Sequence, residues 1–275
     1  MGHFRKTTYP AENQAGVQSA ECVIYVLRSL TCVDTKRVAP NGQTLANRKD
    51  RIFRHLYSVT QQELLRPPAL QAGDVIAIAA TSRPVTHTEL VPAIGLWQAA
   101  GYTVRLADNV DKKWSVFAGD IPTRVDALQQ LLDDPQVRAI HFARGGYGAH
   151  QLLSHLDWTG FLAHPKWLIG FSDITLLLNK VLSLGFLCVH GQMASGFSLK
   201  QSSPAFEQLL SLLECKSDHS GQSLELLYSP SEALAQLQGV LLGGNLSLLQ
   251  TTLGTGLQPT VKGGILLIEE VSEYL

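Results

Sequence analysis

The chain has 275 residues, 45% hydrophobic and 16% charged, with a formal net charge of −1. That is enough apolar chain for one large domain or two ordinary ones, and it excludes a disordered, collagen-like or coiled-coil protein. No global field recruits nucleic acid or an anionic membrane, and no apolar run reaches the roughly 18 residues of a membrane span. Four cysteines (Cys22, Cys32, Cys188 and Cys215) include no Cys-x-x-Cys pair. They fit a reducing compartment and weigh against a disulfide scaffold or a structural zinc site. The stretch Cys22 to Leu27, set between Glu21 and Arg28, makes a poor signal peptide. A soluble, cytoplasmic protein without nucleic-acid or membrane partners is expected.

Charge divides the chain. Residues 1–68 hold ten basic and five acidic side chains, and the remainder holds twelve and eighteen. The first segment shows no sustained period of 3.6 or 2. It reads as a poorly ordered extension or, alternatively, as a basic arm for an anionic partner. Pro67-Pro68 closes it.

Order is expected from Gly73. Asp74 to Ala80 is a short apolar run, as for a strand buried on both faces. Leu90 to Ala100 reads as a helix stopped by Gly101, and Tyr102 to Ala107 as a second strand. Thr123 is the expected cap of the next helix, with Val125, Leu128, Leu131 and Leu132 on one face. Val137 to Phe142 is a third strand, and Tyr147 to Leu156 reads as helical. Lys166 to Phe171 is a fourth strand, Ile174 to Leu184 a helix ending near Gly185, and Phe186 to His190 a fifth strand. This alternation predicts an α/β fold, a parallel sheet flanked by helices. Strand order is not legible. Residues 69–199 form this domain. Residues 200–237, polar with one helix around Phe206 to Leu213, form a linker. Residues 238–275 begin a smaller second domain, with apolar segments at Gly239 to Leu246 and Gly263 to Glu270.

Three features can carry chemistry. In Gly170-Phe-Ser-Asp-Ile-Thr175 a serine stands where a buried strand turns into a helix. Functional groups gather at such strand ends, and a serine there can present its hydroxyl as a nucleophile beside free helix N–H groups. The alternative is that Ser172 or Asp173 merely caps the helix. The elbow pattern Gly-x-Ser-x-Gly is not met, since Ile174 takes the second glycine's place. In Arg144-Gly-Gly-Tyr-Gly148 paired glycines let backbone N–H groups approach a ligand, or else form a plain tight turn. It matches neither the P-loop nor Gly-x-Gly-x-x-Gly. Glu269-Glu270 ends an apolar strand, where a carboxylate can orient an imidazole or simply face solvent. His141, His150, His155, His164, His190 and His219 lack metal-ligand spacing and read as structural.

The ordered set Arg144-Gly-Gly-Tyr-Gly148, Gly170 to Thr175, His190-Gly-Gln-Met193, Gly243-Gly-Asn-Leu246 and Ile268-Glu-Glu270 resembles the murein tetrapeptide LD-carboxypeptidases. These are serine peptidases whose relatives include the microcin C immunity peptidases. The resemblance implies an N-terminal domain like the class I glutamine amidotransferase fold and a smaller C-terminal domain. It also implies hydrolysis of the L,D bond to the terminal D-alanine of murein peptides, without metal or organic cofactor. It gives Ser172 the role of nucleophile and Glu269 that of the acid, with Glu270 replacing an aspartate. The oxyanion hole falls to the N–H of Asp173 and an N–H from Gly145 or Gly146. His190 receives no catalytic role, and its motif departs from the more usual His-Gly-Pro-Met. The family's catalytic histidine lies several dozen residues beyond the acidic pair, in a part this sequence lacks, and the front extension has no counterpart. On these grounds a truncated, inactive or nearly inactive family member is expected. Its incomplete second domain should expose apolar surface that invites aggregation or pairing as a homodimer. Peptidyl nucleotides as substrate, and binding of a murein peptide without cleavage, are the alternatives.

Overall fold

The computed structural model describes residues 64–198, 204–216, 240–259 and 264–270, together with the backbone of Tyr25–Val26. The apolar runs at the centre of the sheet, Val75–Ala79, Val137–Phe142 and Trp167–Gly170, become strands buried on both faces, whereas Thr103–Leu106 is only partly covered. Strand β1 (Tyr25–Val26) lies at one edge of the main sheet, and β2 (Val75–Ala79), β3 (Thr103–Leu106), β4 (Val137–Phe142), β5 (Trp167–Gly170) and β6 (Val189–His190) complete it. The spatial order is β1-β6-β5-β4-β2-β3, with β1 antiparallel to β6 and every other pair parallel. The parallel strands therefore wind outward in both directions from β2. The switch point lies between β2 and β4, and ligands bind outside the carboxyl ends of strands at such a point.

Alternate residues of the strands feed two cores. Ala77, Ala79, Ile140, Phe142 and Leu168 face α2 (Ile121–Asp133) and α4 (Thr175–Ser183). Ile76, Ile78, Ala139, Trp167 and Ile169 face α1 (His87–Ala99) and α5 (Pro204–Leu213). Between β4 and β5, α3 (Thr159–Ala163) adds Phe161 to the first core. A second, two-stranded parallel sheet pairs β7 (Leu241–Asn245) with β8 (Ile265–Glu269), and α6 (Leu246–Thr252) follows β7 directly.

Several boundaries differ from the sequence reading. Helix α1 starts three residues early, because Thr86 and Glu89 form a capping box that satisfies its first N–H groups. Asp120, not Thr123, caps α2: its carboxylate accepts the Thr123 N–H at 3.0 Å. The helix expected over Tyr147 to Leu156 is a single 3-10 turn, Ala149–Gln151. Gly146 and Gly148 hold φ of +122° and +124°, outside helical space, and the Gly148 carbonyl accepts from Arg124 as well as from the Gln151 N–H of that short turn. The fifth strand shrinks to two residues. Packed order also begins before Gly73. Leu65 brackets the strand end, its N–H donating to Gly185 O (2.8 Å) and its carbonyl accepting from Leu187 N (2.9 Å), and Pro68 O accepts the Trp167 indole N–H. The rest of the expected extension and most of the linker fall outside the described residues.

Two buried bases hold elements together. Lys166 donates to the carbonyls of Leu131, Leu132 and Asp134 at 2.7–2.9 Å, closing the C-terminus of α2, and burial lowers its pKa to about 8. His141 accepts the Trp97 indole N–H at Nδ1 (3.1 Å), so Nε2 carries the proton and donates to Gln192 O (2.9 Å). The structure thus makes His141 a satisfied core residue. Burial lowers its pKa, and that of His190, to about 4. Unfolded histidine takes up its proton near pH 6.5, while these two resist until about pH 4, so stability falls as pH drops through that window. The thermal midpoint should decline between pH 6.5 and 4, and less steeply in His141→Gln. A midpoint independent of pH across this range contradicts the assignment.

Candidate active site

The site begins with a strained turn. All four residues of β5 are buried, Phe171 is extended, and Ser172 then adopts φ +56°. A side chain in that left-handed region costs of order 1–3 kcal/mol and persists only where its surroundings over-determine it. They do so here. A Cβ on Gly170 would stand 3.2 Å from Ile174, so only glycine lets strand and helix close this tightly. The neighbouring Asp173 is fully buried. Its Oδ2 accepts from Ser82 Oγ (2.5 Å) and from Ala149 N–H (2.8 Å), tying the turn to the loops after β2 and β4. No side chain makes a capping hydrogen bond at the start of the 3-10 turn Ser172–Ile174 or of α4. The simple capping alternative is thereby removed: Asp173 fastens loops, and Ser172 is left half-buried at the carboxyl end of β5, inside the sheet.

The glycine turn lies against this serine. A Cβ on Gly145 would sit 3.2 Å from both Cβ and Oγ of Ser172 and 3.4 Å from Met193 Cε. The backbone of Gly145 therefore passes so close that a larger residue would push the hydroxyl or its neighbours aside by a few tenths of an ångström. Among the described residues the N–H groups of Gly145 and Gly146 have no backbone acceptor. The Asp173 N–H belongs to the first turn of a helical segment, where no intrahelical partner exists. The Gly145 backbone and the first turn after the serine thus lie on either side of one hydroxyl.

The loop is held from below by Arg124, a residue that sequence reasoning missed. Its guanidinium is fully buried and donates to Gly119 O, Thr81 O, Gly148 O and Gln151 Oε1 while lying 4.7 Å from the Phe117 ring centroid. Burial lowers its pKa and the charge of Asp173 opposes that shift. The signal was present in the sequence. Arg124 precedes Leu128 and Leu131 by four and seven residues, so it falls on the apolar stripe, where an arginine needs buried partners.

The second sheet delivers the acid. Asn245 N–H donates to Thr175 Oγ1 (3.0 Å) and Asn179 Nδ2 to Gly243 O (3.3 Å), docking β7 on the helix that follows the serine. Gly244, at φ +129°, packs where a Cβ would lie 2.6 Å from Thr175 Oγ1. Because Asn245 pairs in register with Glu269, the end of β8 arrives at the elbow. Glu269 receives hydrogen bonding from the Ser172 backbone N–H and the Asn245 side chain. Burial is nevertheless the larger influence, and with the neighbouring charge of Glu270 it raises the carboxyl pKa. Its Oε1 is buried without a hydrogen-bond partner among the described residues. Glu270 does something different. It accepts from Asn245 Nδ2 (2.9 Å) and from the N–H and hydroxyl of Ser247 (2.9 and 2.7 Å), fixing the start of α6. His190 stands at the end of β6 beside Gly170, its ring 6.0 Å from that of Phe171. The structure therefore brings Ser172, Asp173, Gly145, Gly146 and Glu269 together. Among the described residues no group of three His, Cys, Asp or Glu is placed to hold a metal, and no helix is long and apolar enough to cross a membrane.

A doubly wound α/β domain with a serine turn at the carboxyl end of β5 and an acid supplied by a small second sheet defines a class of hydrolase architecture. Comparison with known proteins narrows the class. The LD-carboxypeptidase N-terminal domain model matches residues 76–191, and the LD-carboxypeptidase C-terminal domain model matches residues 238–275. A Streptomyces coelicolor protein whose name places it among the carboxypeptidases is 34% identical over 220 residues, covering 77% of this chain and 69% of its own. The murein tetrapeptide carboxypeptidase of Pseudomonas aeruginosa is 33% identical over 208 residues, covering 72% and 66%. The crystal structure of muramoyltetrapeptide carboxypeptidase from Oxalobacter formigenes superposes with a TM-score of 0.60 at 26% identity, over 72% of this chain and 66% of that one. The microcin C7 self-immunity protein MccF shares the fold, with a TM-score of 0.63 at 22% identity over 74% and 70%. The chain belongs to the LD-carboxypeptidase family, and it spans about two thirds of the length of these relatives.

The raised Glu269 pKa is directly measurable. In a carbon-detected NMR titration its side-chain carboxyl should titrate above the usual value of 4.5, and Glu270→Gln should bring the midpoint down by removing the adjacent negative charge. A Glu269 midpoint below 4.5 contradicts this placement.

Proposed function

We propose that this site is that of a serine LD-carboxypeptidase acting on murein tetrapeptides in the cytoplasm, in the recycling of peptidoglycan. Ser172 Oγ attacks the carbonyl carbon of the L,D peptide bond preceding the terminal D-alanine. An imidazole base, which the motif resemblance places several dozen residues beyond Glu270, accepts the hydroxyl proton. Glu269 orients that imidazole and stabilises its cationic form. The tetrahedral oxyanion rests on the N–H of Asp173 and of Gly145 or Gly146. The C–N bond then breaks, the imidazolium protonates the leaving amine, and D-alanine departs. Water repeats the sequence on the acyl-serine and releases the shortened peptide.

The observation that carries this reading is the close pass of Gly145 beside a serine held at φ +56°, near enough that an added Cβ would stand 3.2 Å from the hydroxyl. The bare Oε1 of Glu269 supports it further, since a buried carboxylate oxygen without a donor is costly unless a donor from elsewhere meets it. The free thiols of Cys188 and Cys215 fit a reducing compartment. The substrate follows the names of the relatives, and peptidyl nucleotides are the control.

The test is D-alanine release from murein tetrapeptide, run beside release of amino acid from a peptidyl nucleotide. Ser172→Ala should lose the tetrapeptide reaction by about 10³-fold or more. Gly145→Ala, which pushes a methyl against the hydroxyl, should lose about 10²-fold with the fold intact by circular dichroism. Undiminished D-alanine release by Ser172→Ala, or cleavage of the peptidyl nucleotide alone, contradicts the proposal.

A further inference from the structure

An enzyme that removes only a terminal residue must recognise the free carboxylate of that residue. The carboxylate lies close to the reaction: its carbon is about 3–4 Å from the scissile carbonyl carbon, one residue along the chain. A cation that reads it must therefore stand beside the oxyanion donors.

The arginine of the loop after β2 stands there. Arg83 follows Ser82, whose hydroxyl is fixed to Asp173, and the Arg83 N–H donates to Gly145 O at 3.4 Å. Its backbone is thus pinned to the elbow on one side and to the glycine turn on the other. Its side chain runs across Gly146. A Cβ on that glycine would meet Arg83 Cγ, Cδ and Nε at 2.5, 2.7 and 3.0 Å, and the backbone there is left-handed at φ +122°. Gly146 is the bare floor over which the guanidinium passes, one residue from the glycine that touches Ser172. The two loops leave β2 and β4, the strands that flank the switch point.

The neighbouring charges leave this cation uncompensated. Two arginines, Arg83 and Arg144, face this end of the sheet near a single acid on the following helix, Glu89. Arg144 takes Glu89 at 2.8 Å and also reaches Pro84 O. Among the described residues Arg83 has no ion pair, and it is exposed. A guanidinium offers a planar fork that matches a carboxylate with two parallel hydrogen bonds.

We propose that Arg83 is the specificity-determining residue that binds the free C-terminal carboxylate of the substrate and so makes the site exo-acting. This rests on the carboxypeptidase reading of the Ser172 site and assigns the group that reads the chain end. The loop after β2 supplies the cation, Gly146 supplies the clearance, and Ser82 and Gly145 fix the loop's position.

The experiment measures binding rather than turnover. Isothermal calorimetry on Ser172→Ala compares murein tetrapeptide ending in free D-alanine with the same peptide ending in the D-alanine carboxamide. The acid should bind at least about tenfold tighter than the amide, with a ratio that shrinks as salt rises. In Ser172→Ala/Arg83→Gln the two peptides should bind alike, at the affinity of the amide, and Arg83→Lys should restore part of the preference. An acid preference that survives Arg83→Gln, or equal binding while Arg83 is present, overturns the inference and leaves the carboxypeptidase reading in place. Failure of either peptide to bind any form of the protein removes that reading and the inference with it.

Discussion

The left-handed turn at Ser172 is the constraint from which the site follows. A serine forced to φ +56° between a fully buried strand and a helix cannot relax without pulling Gly170 away from Ile174. Asp173 converts that local strain into long-range order, because its carboxylate grips the loops leaving β2 and β4 at the same time. Those loops carry the glycine turn and Arg83. One buried carboxylate therefore sets the relative position of the Ser172 turn, the glycine turn and the Arg83 loop. Arg124 supports the same loops from the opposite side through three backbone carbonyls. Fixed dipoles of this kind need no rearrangement when charge develops, which is where their catalytic value lies.

The second sheet depends on the first in a comparable way. β7 docks on α4 through Thr175 and Asn179, both buried, and through a glycine that permits near-contact of backbone with Thr175. Parallel register then carries Glu269 to the serine. Position and protonation are coupled here. The burial that brings the acid to the elbow also raises its pKa, and Glu270, which fixes α6, adds to the shift. Leu266 and Ile268 on the opposite face of β8 are about half exposed, so the strand contributes its polar end more than its apolar side.

Much of this was legible in the sequence. Val137 to Phe142 was bounded correctly because its apolar residues mark a buried strand, broken only by the half-buried Arg138 and by His141, which the indole of Trp97 satisfies. The serine turn, the glycine pair and the acidic strand end were also visible as local patterns. Their convergence was not, since it depends on strand order and on Asp173, whose partners lie 24 and 91 residues away. The helix expected over residues 147–156 is cut to one 3-10 turn because Gly146 and Gly148 leave helical space, in a loop that Arg124 ties to its own helix. Arg83 carried no sequence signal at all. It matters through what its neighbours lack, namely a side chain on Gly146 and an unclaimed carboxylate.

On the proposed reading, Ser172 Oγ and the N–H groups of Asp173 and the glycine pair address one reacting carbon. A crystal structure with a peptide boronic acid whose boron replaces the scissile carbonyl carbon tests this most directly. The expected result is a covalent bond from boron to Ser172 Oγ, with one boronate oxygen within about 3 Å of the Asp173 N–H and of the Gly145 or Gly146 N–H. Boron bonded to any other residue, or a boronate oxygen turned away from both segments, contradicts the account.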